Sequence, residues 1–271
     1  MTGKVYIVGA GPGDPELLTV KAVRVLRTAD VVLHDSLVGA AILELIPPPA
    51  KVVSVGKRCG HKLFTQDDIN RLLIHHASKA VTVVRLKGGD PLVFGRGGEE
   101  MDALRAVGIH FEVVPGVTSA LAAAASAGIS LTDRRIASHV LFTTAHRRTG
   151  ELSLDLGGLA WPDTTIVVYM PGSDYGPIAD AAIVSGLSSN TPCIVVSSAS
   201  LPGQLIFRTT LRQLATAGAL AAPALLIIGN AVGAPMEELV PQFWHQLAST
   251  TAGETSANAE PNGISIVRRP S

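Results

Sequence analysis

The residues with the densest capacity for chemistry run from Lys87 to Glu100, Lys-Gly-Gly-Asp-Pro-Leu-Val-Phe-Gly-Arg-Gly-Gly-Glu-Glu. Val81 to Leu86, just ahead, is a β-branched apolar run that reads as a buried strand, so the glycines fall where that strand ends. Glycine lets backbone N–H and C=O groups approach a ligand with no Cβ in the way, and Asp90, preceding Pro91, is pushed out of the helical region, which fixes the turn. Arg96 and Glu99 stand three apart at the start of the next helix, on one side of it, beside whatever the loop holds. The plain reading is a tight strand-to-helix turn with a solvated ion pair. The length and particularity of the run favour a ligand cradle with functional charges at its rim.

A second glycine loop, Gly9-Ala10-Gly11-Pro12-Gly13-Asp14-Pro15, follows the strand Lys4 to Val8, and Asp35 ends the next strand. That pattern invites a dinucleotide site, with Asp35 as the ribose-binding acid. The fingerprint departs in detail: its third glycine belongs at position 14, which is Asp14, and Pro12 with Pro15 spoil the helix N-terminus that must face the pyrophosphate. A nicotinamide-dependent oxidoreductase and a purely structural glycine loop stand level as lesser readings.

The elements that must position these loops alternate. Strand 4–8 leads to a helix from about Glu16 to Arg27 with Leu17, Val20, Val23 and Leu26 on its apolar face, then strand 31–33 and a short helix, 37–46, stopped by Pro47-Pro48-Pro49. Strand 52–55 precedes the basic loop Gly56-Lys57-Arg58, Thr65 caps a helix over 66–78, and a helix over 98–107 and a strand over 110–114 close the half. This βαβ series predicts a mainly parallel sheet covered by helices on both faces. An alanine-rich helix beginning at Pro115 then crosses to strands near 140–144, 165–169, 193–197, 204–209 and 224–228. Only Ala199 to Gly203 separate two of them, which suits a hairpin and a mixed second sheet. The expected fold class is two α/β domains, residues 1–115 and 116–248, followed by a tail, 249–271, whose composition reads as disordered.

Composition narrows the function classes. The 271 residues are 47% apolar, enough for a sizeable core, and Lys+Arg and Asp+Glu both number 22, so nothing favours nucleic acid. Cys59 and Cys193 lie far apart, which fits packing residues in a reducing cytoplasm and no zinc or disulfide framework. No metal-ligand cluster is legible, and His75-His76 reads as a solvated helix face. Val5 to Val8 is too short for a signal-peptide core, and the charge-free windows 113–132 and 215–236 are broken by glycine and proline, so neither a leader nor a membrane span is expected.

In order along the chain, Val-Gly-Ala-Gly-Pro-Gly-Asp-Pro (8–15), His34-Asp35 with Leu37-Val38, Gly56-Lys57-Arg58, Arg-Leu-Lys-Gly-Gly-Asp-Pro with Phe-Gly-Arg-Gly-Gly-Glu-Glu (85–100), Val-Pro-Gly-Val-Thr-Ser-Ala (114–120), Gly-Ile-Ser-Leu-Thr-Asp-Arg (128–134), Val-Tyr-Met (168–170) and Pro-Ala-Leu-Leu-Ile-Ile-Gly (223–229) resemble the uroporphyrinogen-III C-methyltransferases of the tetrapyrrole methylase superfamily. The resemblance spans Lys4 to about Val232. It implies two α/β domains with the cosubstrate in the cleft between them, and a homodimer that methylates a tetrapyrrole, uroporphyrinogen III, at C2 and C7 to give precorrin-2 through precorrin-1; the cysteine usage and the lack of a leader point to the cytoplasm. S-adenosylmethionine is the implied cosubstrate and S-adenosylhomocysteine its product. Carried over residue by residue, Pro12, Gly88, Gly89, Asp90, Val93, Phe94, Thr118, Ser119, Ala120, Met170 and Ala224 would line the S-adenosylmethionine pocket. Arg96 and Arg134 would hold acceptor carboxylates, and Asp35, Glu99 and Asp14, with Lys57 at the mouth, are the candidates for charge stabilisation or proton removal. Asp14 as a helix cap and Lys57 as a solvated cation are the structural alternatives. Asp133 stands where the family has histidine and Ala145 where it has glycine; a carboxylate beside Arg134 is expected to weaken its grip or pair with it. Another corrinoid-precursor methyltransferase and a non-catalytic tetrapyrrole or nucleoside binder stay open beside this reading.

Overall fold

A computed structural model describes residues 3–56, 64–79, 82–145, 156 and 162–233. Strands β1 (Val5–Gly9), β2 (Val31–His34), β3 (Lys51–Ser54), β4 (Val83–Lys87) and β5 (Phe111–Val114) form one sheet in the order β3-β2-β4-β1-β5. Every pairing is parallel, as the βαβ alternation predicts. Parallel neighbours need crossovers, and α1 (Val20–Arg27), α2 (Ala40–Leu43), α3 (Gln66–Ala77) and α4 (Gly97–Ala106) lie between the strands in sequence. β4 is central and buried at every residue. Its Val84 and Leu86 pack with α1 and α2, while Val83 packs with α3 and α4. The two-residue period puts Arg85 and Lys87 on the Val83 side, so the central strand carries two charges into that layer.

The second sheet contains β6 (His139–Thr144), β7 (Thr164–Tyr169), β8 (Pro192–Ser197), β9 (Leu205–Thr210) and β10 (Ala224–Ile228), in the order β6-β7-β10-β8-β9. β6 and β7 are parallel and the other pairs antiparallel, so the sheet is mixed, and β8 and β9 make the expected hairpin. The alanines of α5 (Ser119–Ala127) cover one face with Val167, Ile194, Val196 and Leu225. On the other face Ile178, Ala179 and Ala182 of α6 (Gly176–Val184) and Leu211 and Leu214 of α7 (Leu211–Leu214) join Ile166, Val168 and Val195. Val93, from the loop after β4, packs on the α5 layer and joins the two halves.

Several local expectations shift. The chain makes one 3-10 turn at Pro15–Leu17, capped by Asp14, then Leu18 and Thr19 are extended before α1 starts under a Thr19 cap. That break resets the helical phase: the buried face is Ala22, Val25 and Leu26, and Val20 is 87% exposed. The helix expected over 37–46 is only Ala40–Leu43, and the one expected from Pro115 begins at Ser119. Thr65 caps α3 in a full capping box with Asp68. The solvated-face reading of His75-His76 fails at His76, which is buried, whereas His75 is exposed. Cys193 is buried, and burial pushes its thiol up, well out of the reactive range. The charge-free windows fold as β5 with α5 and as β10, and among the described residues no helix is long and apolar enough to cross a membrane. Cys59 and the tail 249–271 lie outside the described residues.

Candidate active site

The loops that leave β1, β4 and β5 meet at three glycines. A Cβ on Gly9 would stand 2.6 Å from Gly116 N and 2.7 Å from Gly89 O, so backbone lies directly on backbone there. Gly11 and Gly89, both left-handed at φ 68° and 67°, exchange hydrogen bonds in both directions. Asp90 ties the crossing together: Oδ2 accepts from Gly116 N at 3.0 Å and Oδ1 from Leu92 N at 2.8 Å. The first glycine loop is thereby folded onto the end of β4 and does not present a helix N-terminus, in line with its failure as a dinucleotide fingerprint.

Beside this crossing lies a cavity of about 790 Å³, counting its open mouth, lined from both halves of the chain. Of the residues the resemblance assigns to the cosubstrate, Pro12, Gly88, Gly89, Asp90, Val93, Thr118, Ser119, Met170 and Ala224 line it. Phe94 does not line it, although its ring is 4.8 Å from that of Tyr169, and Ala120 is wholly buried in the α5 layer. Near the point a Gly89 Cβ would occupy, the nearest atom is Ser119 N at 3.9 Å, so that side of the backbone is open to a ligand. The wall also contains residues that sequence reasoning did not assign to the site: Tyr169, whose hydroxyl is 2.7 Å from Thr118 Oγ1, and Ser198, Ala199 and Leu201 of the β8–β9 hairpin. Tyr169 belongs to the Val-Tyr-Met motif (168–170), which is a usable signal in the sequence; the hairpin carries none.

Leu37, Gly88 and Val93 also line a second, wider cleft of about 1640 Å³, counting open space, so the two adjoin. Asp35, Arg96 and Glu99 are on its wall. Asp35 is held by Leu37 N and Gly88 N, each at 3.0 Å from one carboxylate oxygen, which places it at the junction. Arg96 grips Glu99 through Nε and Nη2, both at 2.7 Å, and this contact raises the guanidinium's affinity for its proton. Both side chains are about half exposed, with Arg96 in the left-handed region at φ 57°. Phe94, Met170 and Ser198 share that conformation. Non-glycine residues held there cost about 1–3 kcal/mol each, and such strain collects at functional sites.

The floor of the wider cleft is a charged cluster that sequence reasoning missed. Arg85 Nε and Lys87 Nζ reach the same oxygen of the fully buried Glu100, at 2.9 and 3.1 Å. Burial first, then the neighbouring Arg85, lowers the Lys87 pKa, with Glu100 and Asp35 opposing. Charges at alternate positions of a buried strand were the available signal, masked by the apolar character of the run.

Other candidates lie elsewhere. Asp14 lines neither cavity and accepts from Glu16 N at 2.9 Å as a cap. Arg134 is exposed on the turn after α5 and likewise lines neither. Asp133 does not pair with it; two contacts from Arg135, at 2.7 and 3.0 Å, hold the Asp133 carboxyl at about 2. Lys57 lies outside the described residues. Among the described residues no group of three or more His, Cys, Asp or Glu is arranged to hold a metal ion.

Residues 4–215 match the family model described as Tetrapyrrole (Corrin/Porphyrin) Methylases. The chain is 46% identical over 248 residues to a chloroplastic S-adenosyl-L-methionine-dependent uroporphyrinogen III methyltransferase of Arabidopsis thaliana, covering 90% of this chain and 66% of that protein. It is 46% identical over 232 residues to a siroheme synthase of Zymomonas mobilis, covering 85% of this chain and 49% of that one. The chain thus spans about two thirds of the first relative's length and about half of the second's. Among solved structures, a uroporphyrin-III C-methyl transferase from Thermus thermophilus, complexed with S-adenosylhomocysteine, aligns with a TM-score of 0.76 at 41% identity, covering 87% of this chain and 97% of that one.

Proposed function

The chain belongs to the tetrapyrrole (corrin/porphyrin) methylase family, and from that membership we propose that it is an S-adenosylmethionine-dependent C-methyltransferase acting on uroporphyrinogen III. The finer reading is methylation at C2 and then C7, giving precorrin-2 through precorrin-1, by a cytoplasmic homodimer with residues 1–115 and 116–248 as its two domains. The observation that carries the reading is the pair of adjoining cavities, a smaller, mostly apolar one with Gly11, Gly88 and Gly89 in its wall and a wider one walled by the charges of Asp35, Arg85, Lys87, Arg96 and Glu99, sharing Leu37, Gly88 and Val93.

The residues present fit the cosubstrate. Gly88, Gly89, Asp90, Thr118 and Ser119 would hold it largely through their backbone, with Pro12, Val93, Met170 and Ala224 as apolar walls; Phe94, on the wall of the adjoining cleft, and Ala120, buried in the α5 layer, would support it from outside the cavity. When bound, S-adenosylmethionine supplies a methyl group already activated by its sulfonium and leaves as S-adenosylhomocysteine. The protein's task is therefore orientation of two reactants. Asp35, hydrogen-bonded to Leu37 N and Gly88 N, would stabilise the positive charge that develops on the attacked pyrrole or take its N–H proton, with Glu99 as second candidate. Arg96 keeps its Nη1 edge for an acceptor carboxylate while Glu99 holds the other edge. Asp14 and Arg134, which line neither cavity, complete the proposed set with Lys57, which lies outside the described residues.

Calorimetry tests the cosubstrate directly. S-adenosylhomocysteine should bind and NAD should not; the reverse ranking would return the oxidoreductase reading to first place.

A further inference from the structure

The cluster on β4 contains more donors than its own partners satisfy. Arg85 and Lys87 bring two positive charges and Glu100 one negative, all with side chains almost excluded from solvent. Glu100 Oε1 receives Arg85 Nε, Lys87 Nζ and, at 3.3 Å, Gln66 Nε2, while Oε2 has no hydrogen-bond partner among the described residues. Arg85 continues into the fold, donating from Nη1 to the carbonyls of Leu33 at 3.3 Å and Leu86 at 3.0 Å. Lys87 differs: an ammonium has three N–H donors, and among the described residues only Glu100 accepts from this one. Asp35 is close enough to favour the charged lysine, yet its hydrogen bonds go to Leu37 N and Gly88 N. A buried charge is costly unless its hydrogen bonds are made, and Lys87 lines the wider cleft.

We infer that Lys87 is an acceptor-binding residue whose remaining N–H donors receive a carboxylate of the methyl acceptor, held in place for this by Glu100, which Arg85 in turn anchors. The inference rests on the proposed function, since it needs a polycarboxylated acceptor in that cleft. Arg96 at the rim and Lys87 at the floor would then take different carboxylates, which fixes the rotation of the acceptor and so which carbon faces the smaller cavity. Burial and Arg85 both disfavour the ammonium in the unliganded protein, and an incoming carboxylate opposes both.

The test is K87M, which keeps the length of the stem and removes the charge, with K87R as the conservative partner. Loss of a charge-assisted bond should raise the acceptor KM about ten- to a hundredfold, with a smaller change in kcat, and leave S-adenosylhomocysteine affinity within about twofold. K87R should recover part of the loss. A folded K87M with acceptor KM within about twofold of the unaltered protein overturns the inference, even if its Tm has changed. Should K87M fail to fold, a crystal structure of the unaltered protein with uroporphyrin III, the oxidised acceptor, decides: a carboxylate oxygen within about 3.2 Å of Lys87 Nζ supports the assignment, and carboxylates bound only elsewhere overturn it. Failure of the unaltered protein to methylate uroporphyrinogen III would instead sink the proposed function; activity with an indifferent K87M sinks only this assignment.

Discussion

Arg96 is poised by contacts that a sequence only half reveals. The three-residue spacing to Glu99 was legible, and the structure adds that the pair is bidentate and that Arg96 occupies the left-handed N-cap position of α4. If the guanidinium holds an acceptor carboxylate, Arg96→Ala removes a charge-assisted bond worth roughly 1.5–3 kcal/mol, lowering kcat/KM about ten- to a hundredfold with cosubstrate affinity unmoved. Arg96→Lys should restore only part, because an ammonium lacks the fork. Glu99→Gln should lower kcat more than acceptor binding if the carboxylate stabilises the charged pyrrole. Steady-state kinetics in acceptor, with S-adenosylhomocysteine binding measured on each variant, separates these outcomes; full activity in Arg96→Ala would leave the pair a surface ion pair. Arg134 shows the limit of motif reading at this scale. A motif names a residue but not which neighbour claims Asp133, and the arginine two residues on, Arg135, claims it by closing a local turn.

At the scale of elements, strands were easier to place than helix phase. β-branched runs bounded by glycine or proline located every strand of both sheets to within about two residues, whereas α1 restarted at Thr19 and turned Val20 outward. The same difficulty hid His76. Adjacent helix positions point about 100° apart, so one histidine of a pair faces water while the other packs inward beside Leu73 and Ala77. Burial, then the charges of Lys51, His75 and Lys79, hold the His76 imidazole below its ordinary value of 6.5. A folded-state pKa below the unfolded one means the unfolded chain takes up the proton first as pH falls, so stability is lost from about pH 6.5 down toward the lower folded value. Thermal melts should therefore show Tm falling less steeply between about pH 7 and pH 5 in His76→Gln than in the unaltered protein. Parallel curves would mean that His76 does not contribute to the acid limb.

For the molecule as a whole, alternation of strand and helix foretold the parallel sheet, and the short Ala199–Gly203 link foretold the mixed one. The site was legible where it is made of glycine, because Gly9, Gly89 and Gly116 are required by backbone contact and carry their signal in residue type alone. It was illegible where it depends on tertiary proximity: the β8–β9 hairpin wall, and Lys87 facing Glu100 across a strand and a helix. The smaller cavity is walled by both halves of the chain and the wider cleft by residues of the first, the two sharing Leu37, Gly88 and Val93, so the central claim is that one chain brings a methyl donor and a polycarboxylated acceptor together there. The most direct measurement is anaerobic incubation of the unaltered protein with uroporphyrinogen III and methyl-labelled S-adenosylmethionine, followed by mass spectrometry of the tetrapyrrole and quantification of S-adenosylhomocysteine. The expected result is two labelled methyl groups on the tetrapyrrole, a singly methylated species appearing first, and S-adenosylhomocysteine released in equal number to the methyl groups transferred. An unmodified tetrapyrrole with no S-adenosylhomocysteine formed, from protein shown to be folded, would contradict it.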